Sequence, residues 1–259
     1  MYQHILCDVS DDVAFIRLNA PDTLNAMTTD MGRELLDAIG QAPRSARAIV
    51  LGGVGRAFCS GANLSDGSFK LDDPDRDAGA MLEAVVNPLA LQIRRSPIPV
   101  VTAVRGAAAG VGCALALMGD LIVAGENAYF FQAFSRIGLS PDGGSTFLLA
   151  KAIGRVRAME MMLLATRLPA AQALDWGLVN RVVADDAVEA AAIDLARQLA
   201  RGPASLGLTR AAAWAALENS FEDALALERE IQRIAGRTAD FVEGIDAFQT
   251  KRAPVFRGR

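Results

Sequence analysis

The N-terminal part of the chain alternates apolar and polar residues at the spacing of a β-hairpin. Residues 3–9 and 12–18 each show this period of two, and Ser10-Asp11-Asp12 between them is a tight-turn signal. Apolar residues then recur at helical spacing over 29–41, where Thr28 is suited to be the N-cap. The pattern therefore predicts a hairpin followed by an amphipathic helix.

Strands and helices alternate through the middle of the chain. Continuous apolar runs predict strands that are buried on both faces. The predicted order is a strand at 46–51, a helix near 81–95, a strand at 100–104, a Gly/Ala turn at 106–112 that opens a helix to about residue 118, and a strand at 121–124. Such alternation predicts an α/β fold with a parallel sheet and right-handed crossovers. Residues 65–79 are polar and rich in Gly and Asp, and are predicted to form a surface loop.

From residue 146 onward the periodicity is almost wholly helical. Long helices are predicted over 186–201, 203–218, 221–236 and 238–249. The third of these has a capping signal, Ser220-x-x-Asp223, at its start. The predicted organisation is an α/β core over residues 1–197 and a C-terminal helical region over residues 198–259.

The composition narrows the class of protein. With 259 residues, 52% of them apolar, the chain is predicted to form one large globular domain, or one with a small appendage. Its 26 basic and 30 acidic residues give a net charge of −4, which argues against a nucleic-acid partner. The uncharged run between Arg105 and Asp120 is too short for a bilayer span of about 20 residues, and the N-terminus shows no signal-peptide pattern. We therefore expect a cytoplasmic protein with no membrane partner.

The scarcity of histidine argues against several enzyme classes. His4 is the single histidine, whereas serine and cysteine hydrolases need a positioned imidazole and catalytic zinc sites usually use two or three. The cysteines Cys7, Cys59 and Cys113 are too far apart for a CxxC motif, so we expect reduced thiols. No metal site is expected.

Two turns made of small residues are candidates for ligand contact. Residues 56–64 read RAFCSGANL and residues 105–113 read RGAAAGVGC, each at the predicted end of a strand. Small residues let a ligand approach the backbone, and two sets of free N–H groups that face one point would form an oxyanion hole. Tight packing between helix and strand explains either turn equally well when it is taken alone.

A dinucleotide-binding site is the weaker interpretation of the second turn. Gly110-x-Gly112 opens a helix after a strand, as such a site requires, but Leu115 occupies the third fingerprint position. Asp120 comes too early to be the acidic residue that contacts a ribose. The sequence therefore disfavours a nicotinamide or flavin cofactor.

A third segment contains a candidate acid–base residue. Residues 130–146 read FFQAFSRIGLSPDGGST and place Asp142 between a proline and two glycines. Such an aspartate is ordinarily a turn former. Because its neighbours are aromatic and apolar, a partly buried carboxyl group with a raised pKa is the functional alternative.

These three segments, in this order and spacing, carry a resemblance to a known family. Together with Ala158–Met161, Ala173–Asn180 and Lys251–Phe256 they resemble the crotonase (enoyl-CoA hydratase/isomerase) superfamily over nearly the whole chain. The resemblance implies an α/β spiral of ββα units with a helical C-terminal trimerisation region. It also implies an acyl-CoA thioester substrate and a homotrimer or a dimer of trimers, with no cofactor besides the coenzyme A of the substrate.

The same resemblance assigns roles to residues of this chain. It places the thioester oxygen between the backbone N–H groups of Ala62 and Val111, although glycine is usual at the second position. The substrate-binding candidates are Leu24, Ala26, Ser60, Gly61, Asn63, Leu64, Gly110, Phe134 and Lys251, the last of which is expected to reach the coenzyme A of a neighbouring subunit.

The chain departs from the hydratases of this superfamily. Those enzymes use two glutamates to position and activate water, and the aligned positions here are Ala114 and Phe134. Neither side chain transfers a proton. No glutamate lies between Glu126 and Glu160, so a shift of the alignment does not restore one.

Asp142 matches instead the aspartate of the superfamily's isomerases, and the segment around it is most similar to that of 1,2-epoxyphenylacetyl-CoA isomerases. The predicted function is therefore an acyl-CoA isomerase in which one carboxylate moves a proton and the oxyanion hole stabilises an enolate. The alternatives left open are 2-enoyl-CoA hydration and non-catalytic binding of acyl-CoA. Dehalogenation through a nucleophilic Asp142 is disfavoured, because such enzymes need a histidine base.

Overall fold

The chain folds into two β-sheets surrounded by helices, as the computed structural model describes for residues 2–65 and 72–259. The strands in these ranges are β1 Ile5–Ser10, β2 Val13–Leu18, β3 Ala48–Gly53, β4 Val100–Val104, β5 Ala107–Ala109, β6 Leu121–Gly125, β7 Tyr129–Phe131, β8 Arg167–Pro169 and β9 Arg181–Val183. The α-helices are α1 Thr29–Gln41, α2 Asn87–Arg94, α3 Val111–Leu117, α4 Ser145–Ile153, α5 Arg155–Leu164, α6 Ala170–Asp175, α7 Val188–Ala200, α8 Ser205–Ala216, α9 Phe221–Ala235 and α10 Ala239–Gln249.

The larger sheet has the order β1-β2-β3-β4-β6-β9. The hairpin β1–β2 is antiparallel and the other neighbours are parallel, as the alternation of strands and helices predicts. Asp11 and Asp12 both have positive φ, the conformation of a tight hairpin turn. β3 and β4 are buried on both faces, and their residues are apolar apart from Thr102, whose hydroxyl donates to the Ala116 carbonyl at 2.9 Å.

The smaller sheet was not predicted from the sequence. Its order is β5-β7-β8, with β5 parallel and β8 antiparallel to β7. Each of these strands has only three residues, which is too short for a period of two to be recognised. The bridge between Cys59 and Ala108 connects this sheet to the first small-residue turn.

Most predicted elements are confirmed at nearly the predicted bounds. The Thr28 hydroxyl accepts a hydrogen bond from Met31 N at the start of α1, and the Ser220 hydroxyl accepts one from Asp223 N at the start of α9. The helix predicted near 81–95 begins with a π-helical turn at Leu82–Val86 before it continues as α2. Residues 66–71 of the predicted 65–79 loop lie outside the described residues.

The predicted division of the chain at residue 197 falls inside α7, which runs on to Ala200. This helix packs on one face of the large sheet, against Val50, Val101 and Val123. The separation into a core and a C-terminal region therefore stays a prediction. Among the residues described, no helix is long and apolar enough to cross a membrane.

Two buried charged side chains, Arg210 and Asp240, make hydrogen bonds that fix the C-terminal helices. Arg210 on α8 donates to Asp120 at 2.6 Å and also to backbone carbonyls that include that of Ile93. Asp240 at the start of α10 accepts hydrogen bonds from Ala204 N and from the N–H groups of residues 257–259. These contacts hold the helical region and the C-terminus against the core.

Candidate active site

The two small-residue turns lie directly against each other. Gly61 and Gly110 have φ values of 111° and 52°, which favour glycine. A Cβ built on Gly110 would lie 3.8 Å from the Gly61 Cα, and one built on Gly61 would lie 3.3 Å from the Ala109 carbonyl oxygen. At the start of α3, a Cβ on Gly112 would lie 2.4 Å from the Cys59 carbonyl oxygen. Glycine is therefore required for the two turns to meet.

Two backbone N–H groups at this meeting point have no hydrogen-bond acceptor in the described part of the chain. They are the N–H groups of Ala62 and Val111. Their neighbours are bonded, since Gly110 N donates to Phe131 O at 2.8 Å and Asn63 N donates to the carbonyl of Met27 at 2.9 Å. The Val111 N–H has no intrahelical acceptor because it belongs to the first turn of α3, and the role of the pair as an oxyanion hole stays a prediction.

A cavity of about 310 Å³ opens beside these N–H groups. Eight residues that the sequence singled out line it together: Ser60, Gly61, Ala62, Leu64, Gly110, Val111, Phe134 and Asp142. The structure thus brings three segments that are distant in sequence to one place. The roles of these eight residues in binding or catalysis stay predictions.

Asp142 is the only acidic residue that lines this cavity within the described part of the chain. Its Oδ1 atom is buried and has no hydrogen-bond partner. Burial raises the pKa of its carboxyl group from 3.8 to about 6. Because no nearby charge contributes to this change, the raised pKa is a consequence of the apolar surroundings.

The backbone around Asp142 is a tight turn that leads into α4. Its carbonyl accepts a hydrogen bond from Ser145 N at 2.9 Å, and the two residues between them, Gly143 and Gly144, both have positive φ. The Pro-Asp-Gly-Gly sequence is therefore a turn former and also places a carboxyl group at the cavity wall. The two interpretations of Asp142 are compatible.

The two positions aligned with the hydratase glutamates lie in this neighbourhood as well. Phe134 is buried and lines the cavity, with its ring 3.7 Å from where a Cβ on Gly110 would lie. Ala114 is buried on α3 and faces the turn at Gly143. Apolar side chains therefore occupy both places, and neither supplies a proton.

Four predicted substrate-binding residues do not line this cavity. Leu24 has positive φ and its carbonyl accepts a hydrogen bond from Ser60 N at 3.0 Å, so its backbone supports the first turn. Ala26 is buried, and the Asn63 side-chain oxygen accepts a hydrogen bond from Ser65 N at 3.0 Å. Lys251 is exposed just beyond the end of α10. Their predicted contacts with coenzyme A remain predictions.

Sequence reasoning missed the other wall of the cavity. Its members are mostly apolar and come from the chain before α2 and from the segment that precedes Asp142: Ala78, Met81, Leu82, Val86, Ala133, Arg136, Ile137 and Leu139. Leu82 and Val86 are the first and last residues of the π-helical turn and both line the wall. Nothing in the sequence pattern predicts a π-helical turn at this place. Arg136 is the one basic residue of the lining that the structure describes, and its guanidinium lies 5.0 Å from the centre of the Phe131 ring.

Comparison with known proteins identifies the family. Residues 8–259 match the model of the family described as enoyl-CoA hydratase/isomerase. The chain belongs to this family. One relative is the 1,2-epoxyphenylacetyl-CoA isomerase of Escherichia coli K12, which is 42% identical over the full length of both chains. Another, from Rhodobacter capsulatus, carries the name "probable enoyl-CoA hydratase" and is 43% identical over 100% of this chain and 99% of its own.

Solved structures of the family share the fold. The crystal structure of an enoyl-CoA hydratase from Mycobacterium smegmatis superposes with a TM-score of 0.90 at 31% identity, and covers 98% of this chain and 99% of its own. The crotonase fold that the sequence resemblance implies is thereby confirmed. Family membership supports an enzyme with an acyl-CoA thioester substrate. It does not separate isomerases from hydratases, because relatives of nearly equal identity carry both names.

Proposed function

We propose that this protein is an acyl-CoA isomerase in which Asp142 either moves a proton between two carbons of the acyl group or assists the opening of an epoxide ring. The observation that carries the proposal is the Asp142 carboxyl group, which is unpaired, partly buried and the one acidic group of the described cavity wall. The 1,2-epoxyphenylacetyl-CoA isomerase among the relatives supports isomerisation of an acyl-CoA.

The oxyanion hole of the proposed mechanism consists of the N–H groups of Ala62 and Val111, which bind the thioester oxygen. With a 3-enoyl-CoA substrate, the Asp142 carboxylate removes a proton from C2. The electron pair of the broken C–H bond moves onto the thioester oxygen, which gives an enolate that the two N–H groups stabilise. The protonated carboxyl group then returns the proton to C4, and the double bond moves to C2–C3. One carboxyl group is sufficient because the proton that is taken is given back.

The pKa of Asp142 suits this role. A general base works best when its pKa lies near the working pH, and burial brings this pKa to about 6. At neutral pH the group is therefore mostly ionised and still basic enough to take a proton from carbon. In its protonated form the same group is suited to assist the opening of an epoxide ring, which is the reaction expected if the substrate is 1,2-epoxyphenylacetyl-CoA.

Hydration of 2-enoyl-CoA is the second candidate, because the name of the Rhodobacter capsulatus relative favours it. It requires a group that activates water in addition to one that protonates carbon. With Ala114 and Phe134 at the aligned positions, only one carboxyl group of the described cavity wall is available. This shortage favours isomerisation over hydration. The missing glutamates also motivate a third possibility, non-catalytic binding of acyl-CoA.

The test is turnover of 3-enoyl-CoA, 2-enoyl-CoA and 1,2-epoxyphenylacetyl-CoA, each by the wild type and by Asp142→Asn. We expect isomerisation of the first or the third without hydration of the second, and a loss of about 10²-fold or more in kcat for the variant. The kcat/KM of the wild type is expected to rise with pH through about 6 if the ionised carboxylate starts the reaction. Hydration that survives the substitution would refute the proposal. Binding of acyl-CoA without any turnover would favour the non-catalytic alternative.

The proposal extends to a homotrimer or a dimer of trimers with no cofactor besides the coenzyme A of the substrate. The oligomeric part of the proposal is supported by large apolar side chains that α9 and α10 expose, including Phe221, Phe241, Val242 and Phe248. Several large apolar side chains exposed on two successive helices are typical of a surface that another subunit covers. Light scattering coupled to size-exclusion chromatography is expected to give three or six times the chain mass of 27.3 kDa. A monomeric mass would contradict this part of the proposal.

A further inference from the structure

Two polar atoms of the turn that carries Asp142 are buried without a hydrogen-bond partner. They are Oδ1 of Asp142 and Oγ of Ser145, and each lacks a partner within the described part of the chain. Ser145 is fully buried, whereas Asp142 lines the cavity. Because buried polar groups are nearly always hydrogen-bonded, two such atoms in one turn call for an explanation.

The backbone of the turn keeps these two residues close together. Asp142 and Ser145 are the first and last residues of a four-residue turn, which is closed by the hydrogen bond of 2.9 Å from Ser145 N to the Asp142 carbonyl. The Cα atoms at the ends of such a turn lie within about 7 Å of each other. The φ values of Gly143 and Gly144 between them are 59° and 84°, as in a type I′ turn. Since Ser145 is also the first residue of α4, the helix fixes its backbone.

The two unpaired groups are chemically complementary. A serine hydroxyl has one hydrogen to donate, and an ionised carboxylate only accepts. In a turn of this width, a rotation about the Cα–Cβ bond of Ser145 or one bridging water molecule joins the two groups. Ser60 and Arg136, the other two polar side chains of the described lining, already donate to backbone carbonyls at 3.1 and 3.3 Å.

We propose that Ser145 is a positioning residue for Asp142, whose carboxyl oxygen Oδ1 accepts a hydrogen bond from the Ser145 hydroxyl. This inference rests on the proposed function of Asp142 as the group that moves a proton. With Oδ1 occupied, the proton that leaves C2 of the substrate binds to Oδ2, and the same oxygen returns it at C4. Ser145 therefore keeps the proton on the oxygen that faces the substrate. Ser145 itself lies behind the carboxyl group and does not line the cavity.

The hydrogen bond has a predictable effect on the pKa of Asp142, because charged groups nearby do not compete with it. Burial is what raises this pKa. Of the described elements around the turn, α3 carries no charged residue, Glu83 of the π-helical turn is exposed, and Lys151 of α4 donates to the Leu217 carbonyl. Arg136 of the lining stacks on an aromatic ring at 5.0 Å. A hydrogen bond to an ionised group is about twice as strong as a neutral one, so the Ser145 hydroxyl favours the carboxylate.

The first test is the pKa of Asp142 in Ser145→Ala. It is measured by NMR of protein labelled with ¹³C at the aspartate carboxyl carbon, where the signal is assigned by its loss in Asp142→Asn. We expect the pKa to rise by about 0.5–1 unit, because the ionised form loses its donor. At pH 8 kcat should fall about tenfold, since catalytic groups tolerate little misplacement. KM should change less than kcat, because Ser145 does not line the cavity.

Three further variants separate the hydroxyl from other effects of the substitution. Ser145→Gly removes the same hydroxyl and should raise the pKa as Ser145→Ala does. Ser145→Thr keeps a hydroxyl at this position and should restore the pKa and kcat of the wild type. The matched control is Thr146→Ala, which removes the exposed hydroxyl of the next residue and should change neither quantity.

Urea denaturation gives a second decision that does not depend on turnover. If the hydroxyl bonds to the carboxylate, Ser145→Ala is less stable than the wild type at pH 8, and by a smaller margin at pH 5, where the carboxyl group is largely protonated. If the hydroxyl stays buried without a partner, its removal leaves the protein at least as stable at both pH values.

The second of these results would overturn the inference. So would an unchanged pKa in Ser145→Ala and Ser145→Gly, or an equal shift in Thr146→Ala. If Asp142→Asn retains turnover, the proposed function fails, whereas the pKa series still decides whether Ser145 bonds to Asp142.

Discussion

The Asp142→Asn substitution is expected to stabilise the protein while it removes activity. In the folded chain the carboxyl group lines an apolar cavity and its Oδ1 atom is buried without a partner. Ionisation of such a group costs more free energy in the folded chain than in the unfolded chain, where water solvates the carboxylate. Asparagine has nearly the same shape and no charge, so the substitution removes that cost at neutral and alkaline pH.

The magnitude follows from the pKa of Asp142. The pKa is about 6 in the folded chain against an ordinary value of 3.8. One pKa unit corresponds to about 1.4 kcal/mol, which gives a cost of about 3 kcal/mol for the ionised carboxylate. Because the side chain is partly exposed, screening by water reduces the expected gain to about 1–3 kcal/mol. For a chain of this size that gain is an increase of about 2–6 °C in Tm.

The pH dependence has a definite sign. A carboxyl group with a raised pKa binds its proton more tightly in the folded state than in the unfolded state. Its contribution to the free energy of unfolding is therefore fully present below the unfolded pKa and is lost as pH rises through about 6. The advantage of Asp142→Asn over the wild type should be largest at pH 8 and about 1 kcal/mol smaller at pH 5.

The measurement is urea denaturation of wild type and variant at pH 5 and pH 8, at one protein concentration. Asp22→Asn, which changes an exposed aspartate, is the matched control and should alter stability by less than about 0.5 kcal/mol. An Asp142→Asn variant that is no more stable than the wild type at pH 8 would refute the reasoning. An advantage that is the same at both pH values would also refute it, because it would not arise from ionisation.

Two further substitutions test the turns and the C-terminus. Gly110→Ala places a side chain where φ is 52° and so displaces the N–H of Val111. We therefore expect kcat/KM to fall by about 10²–10³-fold. The control is Gly177→Ala, where φ is 74° and the space around the residue is open, and this variant should leave kcat/KM unchanged in the same assay. Asp240→Ala leaves the N–H groups of residues 257–259 without their acceptor, and thermal denaturation should show a loss of about 1–3 kcal/mol, with little change in kcat. A Gly110→Ala enzyme of full activity, or an Asp240→Ala protein of unchanged Tm, would contradict the respective argument.

Local signals in the sequence were sufficient for most of the elements. The positive φ of Asp11 and Asp12 suits residues that tolerate left-handed backbone, and Thr28 supplies its own capping bond within one turn of the chain. Helices such as α9 and α10 present enough residues for the helical period to be recognised. These features depend on interactions between residues a few positions apart, and a sequence displays such interactions directly.

The sequence by itself also predicted which residues form the candidate site. Small residues at 56–64 and 105–113 and the carboxyl group of Asp142 led to the prediction of an oxyanion hole with one acid. The lack of glutamate at 127–159, compared with the hydratases that the chain resembles, led to the prediction that hydration lacks its second group. The motifs identified the family because their order and spacing are preserved along nearly the whole chain. What they left open was whether these segments meet.

Only the tertiary structure decided how the carboxyl group behaves and what surrounds it. The raised pKa of Asp142 comes from desolvation, and desolvation depends on residues such as Leu82 and Val86 that lie more than fifty positions away in the chain. The contact between Gly143 and Ala114 depends likewise on how α3 packs against the turn. Burial and close packing depend on many residues that are distant in the chain. The sequence does not show which of these residues will be neighbours, so both properties can be described only from the folded structure.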